Sequence, residues 1–378
     1  MQDIELYIFD INFNRLDTID IYEEVEFQSK YYGHSICFLT VEGNKKNAEL
    51  LLVNEDELSK ELRIIVRSDD LNRGYIIETA EFEDETNTKI EVIAYSLSIM
   101  TSWRWIIGQQ RFQGNIEGVL KGFVNANCIN PSAPSRVIPN LVLGANEGIN
   151  ILADESYTQK ELDIALWEVC EKNEVSFEIL MNHDAKKYVF STYKGIDRSF
   201  EQQENPHIIF SKEFENVISQ SYTDDKSSYK STAYVAGEGE ENNRTIVEVG
   251  ETFSGFNRRE VFFDARDLQS EYNENGTTVI IPQNEYIELL KERGNNRKQD
   301  YQRIRTFESE ANLQSQFKFN EDYFLGDVIT NRNDELGIVM HQRIVVVKEI
   351  LNREGYTLNL EYGTAIPTLL DKIKREVK

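Results

Sequence analysis

The stretch Phe214–Leu268, FENVISQSYTDDKSSYKSTAYVAGEGEENNRTIVEVGETFSGFNRREVFFDARDL, decides how the rest of the chain is read. It begins with two runs rich in strand formers, Val217–Tyr222 and Tyr229–Val235, on either side of the polar turn Thr223–Ser227. That arrangement predicts a β-hairpin. An acidic glycine corner follows, Gly237-Glu-Gly239-Glu, then Arg244, Gly255, the triplet Arg258-Arg259-Glu260 and the close Asp264-Ala-Arg266-Asp267-Leu268. The corner lacks a Lys-Ser/Thr step and its glutamates would repel phosphate, so it is not a phosphate loop. Its glycines fit turn positions with positive φ. Nothing here forms a catalytic constellation, so the stretch points to an assembly part.

Toward the C-terminus, Asn284 is positioned to cap a short helix carrying Ile287 and Leu290 that stops at Gly294. A second helix is expected from Arg297 to about Glu310, with Tyr301 and Ile304 inward. Strand character resumes at Asp327–Thr330, Gly337–Val347 and Tyr356–Glu361. A final helix from Pro367 has its cations late, as the helix dipole favours. Toward the N-terminus, residues from about Glu5 to Trp105 read as strands, clearest in Leu62–Arg67, Gly74–Phe82 and Lys89–Tyr95, with a turn at Asn87 and a short helix at Asp56–Leu62. Between these regions, Asn115 opens a helix with Ile116, Val119, Leu120, Phe123 and Val124 on one face. Thr158 with Glu161 reads as a capping box for a helix with the stripe Leu162, Ala165, Leu166, Val169 and Cys170. Strands Val175–Leu180 and Tyr188–Thr192 follow.

The expected fold class is α+β, mainly β. Residues 1–107 would form a first β-barrel and 108–205 an α+β domain. Residues 206–250 and 311–378 would form a second, split barrel with a C-terminal helix, interrupted by a helical insertion at 251–310. Hydrophobic residues make up 40% and aromatics 11%, enough for real cores in a 378-residue chain of several domains. No apolar run approaches the roughly 20 residues of a membrane-spanning helix. The start, MQDIELYIFDINF, lacks a basic n-region and a small-residue cleavage site, so no secretory signal is expected. Cys37, Cys128 and Cys170 lie far apart, in neither a zinc pattern nor a disulfide framework, as in a protein made in a reducing cytoplasm. The net charge of −25 makes a poor nucleic-acid binder, because phosphate affinity rests on cations.

His34, His183, His207 and His341 have no second His or Cys at ligand spacing, and there is no G-x-S-x-G elbow. No catalytic, cofactor-binding or metal residue is assigned, and no cofactor is expected. One charge feature stands out. Lys291, Arg293, Arg297, Lys298, Arg303 and Arg305 crowd one segment with only Glu292 and Asp300 against them. They suit either a solvated helical surface or a docking face for an acidic neighbour.

The order and spacing from Gly237 to Leu268 resemble the tail hub proteins of long-tailed, siphovirus-type bacteriophages and prophages. The likeness continues in Arg15–Tyr22 with Tyr31-Tyr32-Gly33, in Arg136–Asn140, in Gly195–Arg198, in Tyr323–Val328, and in Arg343-Ile344 with Glu361-Tyr-Gly363. It covers nearly the whole chain, and such hubs are similar in fold to the central baseplate hub of contractile tails. The resemblance implies two tail-tube-like β-barrels per chain and a structural role without catalysis. Three chains would make a pseudo-sixfold ring at the virion tail tip that closes or extends the tube. The implied partners are further copies in a homotrimer, the distal tail protein or tail tube, the tape-measure protein, and a separate tip or fibre protein. DNA would pass an acidic lumen without specific binding, and stable membrane insertion is not implied. Only about 15 residues follow Gly363, whereas longer relatives carry appendages there, so cell-wall penetration is expected from another protein. A tail-associated cell-wall hydrolase and a receptor-binding tail protein are the alternative classes.

Overall fold

The computed structural model describes residues 4–53, 58–83, 88–239, 244–274 and 277–363. They fall into two compact units, one formed by Met1–Ser221 with Phe307–Gly363 and the other by Tyr222–Thr306. The alternating N-terminal runs become β1 (Leu6–Asp10), β2 (Arg15–Ile19), β3 (Glu24–Lys30), β4 (Ile36–Glu42), β5 (Arg63–Arg67), β6 (Asp70–Glu83) and β7 (Lys89–Ser96). They pair in the order β3-β4-β7-β6-β5-β1-β2. Their period of two sends Val25, Phe27, Cys37, Leu39, Val41 and Val92 into one core with Leu6, Ile8 and Ile65. Each such burial is worth about 1.5–3 kcal/mol. Helix α1 (Lys45–Leu51) starts at Asn44, whose side chain accepts the Asn47 N–H, and α2 is a single turn at Leu58–Glu61. The β6–β7 turn expected at Asn87 lies outside the described residues.

The middle of this unit holds β8 (Trp105–Asn115), α3 (Ile116–Val124), β9 (Leu141–Leu143), β10 (Leu152–Glu161), α4 (Leu162–Asn173), β11 (Ser176–Asn182) and β12 (Lys187–Tyr193). Asn115 caps α3 by accepting the Glu117 N–H, as read from the sequence. Both expected apolar stripes are buried together, with Phe177 stacked on Trp167 at 4.0 Å. The capping box is not formed. β10 pairs with β8 through Thr158 opposite Gln109 and Glu161 opposite Trp105, so the ladder takes these residues and α4 begins only at Leu162.

After β13 (Ile209–Phe210) and within β14 (Val217–Asp225), the chain passes into the second unit. Its sheet is built on β15 (Thr232–Ala236), antiparallel to β16 (Ile246–Gly250) and parallel to β17 (Glu260–Asp264). β18 (Glu271–Glu274) and β19 (Thr277–Ile280) form a small hairpin, and α5 (Gln283–Lys298) packs through Tyr286 and Leu290 on Ala233, Val235, Val247, Val249 and Phe263. Three expectations are corrected here. The runs around the Thr223–Ser227 turn do not pair with each other, since β15 lies between β16 and β17. Gly294 does not end α5. It lies against Val235 and Val249, where any Cβ would clash, and the helix runs on to Lys298. The expected helix from Arg297 to Glu310 is instead the end of α5 followed by a strand, β20 (Ile304–Ala311).

β21 (Val328–Asn333), β22 (Ile338–Asn352) and β23 (Gly355–Gly363) complete the first unit. The long β22 pairs with β23 on one side and, through Val346–Asn352, with β3. The result is a 13-stranded sheet in the order β14-β20-β23-β22-β3-β4-β7-β6-β5-β1-β2, with β21 on β22 and β13 on β21. The two β regions expected as separate barrels are thus joined edge to edge. No closed barrel occurs among the described residues, while the mainly β, α+β class holds. The segment Thr232–Gly250, read as part of the split barrel, lies in the second unit. The C-terminal helix expected from Pro367 falls outside the described residues.

Candidate functional site

Several of the sequence motifs meet at one junction inside the first unit. Tyr31, at the end of β3, has its hydroxyl donating to the Glu174 carbonyl at 3.1 Å and accepting the Gly195 N–H at 3.2 Å. Burial pushes its phenol up to about 12, so it remains a neutral donor. Arg343 spans the same point. Its guanidinium donates to the Gly326 carbonyl at 2.6 Å and to Glu174 Oε2 at 2.8 Å, and lies 5.3 Å from the Tyr31 ring centroid. Asp327 accepts from the Ile196 N–H at 2.7 Å, the Phe324 N–H at 3.0 Å and Arg198 Nε at 2.8 Å. Gly195 and Gly326 pass so closely that a Cβ on Gly195 would lie 2.6 Å from Asp327 N, and one on Gly326 would enter the Tyr31 ring. The Tyr-Tyr-Gly, Gly-Ile-Asp-Arg, Leu-Gly-Asp and Arg343 motifs are therefore one lock. It joins the N-terminal strands, the α+β segment and the C-terminal strands.

Two more charged groups tie this unit together. Arg67 on β5 forms a fork with Glu349 on β22, at 2.7 and 3.2 Å, and a second with Asp69. Burial alone would raise Asp69, but the guanidinium outweighs it and holds the carboxyl below its usual range. Glu117, only 1% exposed, accepts the N–H groups of Glu147, Gly148 and Ile149 at 2.7–2.9 Å and the Thr192 hydroxyl at 2.8 Å. Those donors overcome the burial that would raise it, and its pKa is lowered.

The histidines carry packing. His183 Nε2 meets the Leu71 carbonyl at 2.6 Å, His207 Nε2 the Gln202 carbonyl at 2.7 Å, and His341 Nδ1 the Thr330 hydroxyl at 2.9 Å. His34 forms a set that the sequence did not signal, with Nδ1 2.8 Å from Ser98 Oγ and Nε2 3.3 Å from Asp163. The three side chains have the types of a Ser-His-Asp triad, but Ser98 is 4% exposed and its hydroxyl also faces Ser96 Oγ at 2.9 Å. A nucleophile sealed in this way cannot meet a substrate carbonyl. Cys37, Cys128 and Cys170 are buried thiols, and burial raises the pKa of each. Among the described residues no His, Cys, Asp and Glu group could hold a metal ion.

In the second unit the Gly237–Leu268 stretch folds upon itself. Arg244 donates to the Ala236 and Gly237 carbonyls and to Asp264 Oδ1 at 2.6–2.8 Å. The Tyr286 hydroxyl accepts the Glu238 N–H and donates to the Leu268 carbonyl. The basic segment is likewise engaged internally, with Arg293 on Asp267, Arg303 on Asp224 and Arg297 over the Phe263 ring. Lys291 likewise pairs with Glu288 in the same unit.

Residues 5–364 match the family described as Siphovirus ReqiPepy6 Gp37-like protein. The chain belongs to that family. Among curated proteins none matches its sequence. Its fold is that of solved tail proteins. The tail protein from Neisseria meningitidis MC58 superposes with a TM-score of 0.53 at 10% identity, covering 95% of this chain and 96% of that one. The 43 kDa tail protein of prophage MuSo2 from Shewanella oneidensis gives 0.54 at 10% identity, covering 96% and 98%. The resemblance to siphovirus tail proteins read from the motifs stands at the level of family and fold. For this Gp37-like family member, the motifs at Tyr31–Gly33, Gly195–Arg198, Tyr323–Val328 and Arg343 form one structural lock. Exposed apolar side chains include Trp105 and Ile107 on β8, Phe200 and Val339 in the first unit, and Phe253, Phe256 and Phe262 in the second.

Proposed function

We propose that this chain is a structural subunit of a phage tail tip. Three copies form a pseudo-sixfold ring that closes or extends the tail tube and lets DNA and the tape-measure protein pass. The observation that carries this reading is the match of nearly the whole chain to a siphovirus family, on a fold shared with proteins named as tail proteins. The charge of −25 supports it, since an acidic wall repels a passing duplex. In this reading the joined β regions face the tube, the remaining elements decorate the ring, and the tail tube or distal tail protein and a separate tip protein are the neighbours. The subunit contacts are specific enough to overcome the repulsion of like-charged copies. Mass measurement in solution followed by electron microscopy tests the proposal. A threefold ring supports it, and a particle of twofold symmetry overturns it.

A further inference from the structure

Trp105 and Ile107 form an apolar island with cationic surroundings. Both lie on β8, where alternation sends Ile106 into the core of the first unit and turns its two neighbours outward, 48% and 63% exposed. Among the described residues β8 pairs with β10 alone, so the backbone along its other edge has no strand beside it. Proteins ordinarily cover an open strand edge that carries apolar side chains. The loop at 134–137 is stapled to the same place. Arg104 Nε donates to the Arg136 carbonyl at 2.7 Å, and the Arg136 guanidinium donates to the Trp105 carbonyl. Val137, the next residue, is exposed as well.

The two guanidiniums differ from most others in this chain. Arg67, Arg111, Arg198 and Arg258 each meet a carboxylate of the same chain. Among the described residues Arg104 and Arg136 meet none. Backbone carbonyls and the Asn127 side chain hold them, and each keeps N–H donors to which no described residue responds. A carboxylate is the acceptor that such donors bind most strongly. The chain carries 66 acids against 41 bases, so the surface of a second copy presents carboxylates in excess. Trp and Arg are also the side chains that most often carry binding energy at protein interfaces. We propose that the Trp105–Ile107–Arg136 patch is a contact between copies and docks on an acidic surface of the next one. Two such patches face to face would set cation against cation, so the contact joins unlike surfaces, the kind that closes into a ring. It gives like-charged copies a point of local attraction, and it rests on the ring reading above.

Photo-crosslinking tests this in tails assembled with the full-length chain carrying Ile107→p-benzoylphenylalanine, a change at an exposed position. Irradiation should join two copies of the chain, with the crosslink mapping to a surface rich in Asp and Glu. A crosslink to a different tail protein, or none, would overturn the inference. The number of copies in the same tails judges the ring itself, independently of where residue 107 crosslinks. Ile107→Glu should also lower incorporation of the chain into tails by about tenfold or more while its thermal unfolding stays unchanged. Normal incorporation of that variant would overturn the inference as well.

Discussion

Glu117 shows how a buried charge is made stable at the scale of one residue. Three backbone N–H groups and a hydroxyl converge on it, so its pKa in the folded chain lies below the ordinary 4.5. A carboxyl lowered on folding stabilises the protein above its unfolded value, and that contribution is lost as pH falls through the folded one. Glu117→Gln should therefore cost about 2–3 kcal/mol near neutrality and flatten the loss of stability below pH 4.5. Urea titrations at pH 7 and below 4 read both effects, and an unchanged acid limb would refute the assignment. Gly195 makes a second case. Its backbone runs against Gly326 and Asp327 with no room for a methyl group. Gly195→Ala should cost about 2–4 kcal/mol by forcing the lock open. Thermal unfolding measures it, and a shift of under a degree would show that the junction can relax.

At the scale of elements, α5 depends on Gly294 for its approach to β15 and β16. Gly294→Leu should lift the helix from the sheet and loosen the second unit, visible as faster amide exchange in Val235 and Val249 with β3 and β22 unaffected. Equal exchange in wild type and variant would mean that the helix is held from elsewhere. The sequence had suggested that this glycine ends the helix, because a lone Gly among polar residues reads the same whether it stops a helix or seats one on a sheet. Thr158 and Glu161 misled for a related reason. Capping chemistry is local, and the β8 ladder that claims those residues begins some 50 positions earlier. By contrast, the α3 and α4 stripes and strands β5, β6, β7, β11 and β12 were legible, since each buries one face and the period of that face is written in the residues themselves. The pairing of β22 with β3 joins positions more than 300 apart, and no local pattern specifies it. Likewise the lock could be listed as motifs but not assembled, because Tyr31, Gly195, Asp327 and Arg343 meet only once the sheet is complete.

For the whole molecule, the first unit is one 13-stranded sheet with an α+β segment locked to it, and the second is a small mixed sheet with α5. Within the Gly237–Leu268 run, Arg244 is drawn in by the Ala236 and Gly237 carbonyls and Asp264, while Asp264, Arg266 and Asp267 stay exposed. The charge of −25 per copy should make association depend on salt, with rings favoured as screening rises. The central claim is stoichiometric, and counting copies of this chain in isolated tails tests it most directly, by electron microscopy with a tag on the chain. Three copies arranged about the tube axis at its host-facing end are predicted. Six copies, or a position along the tube shaft, would contradict the account.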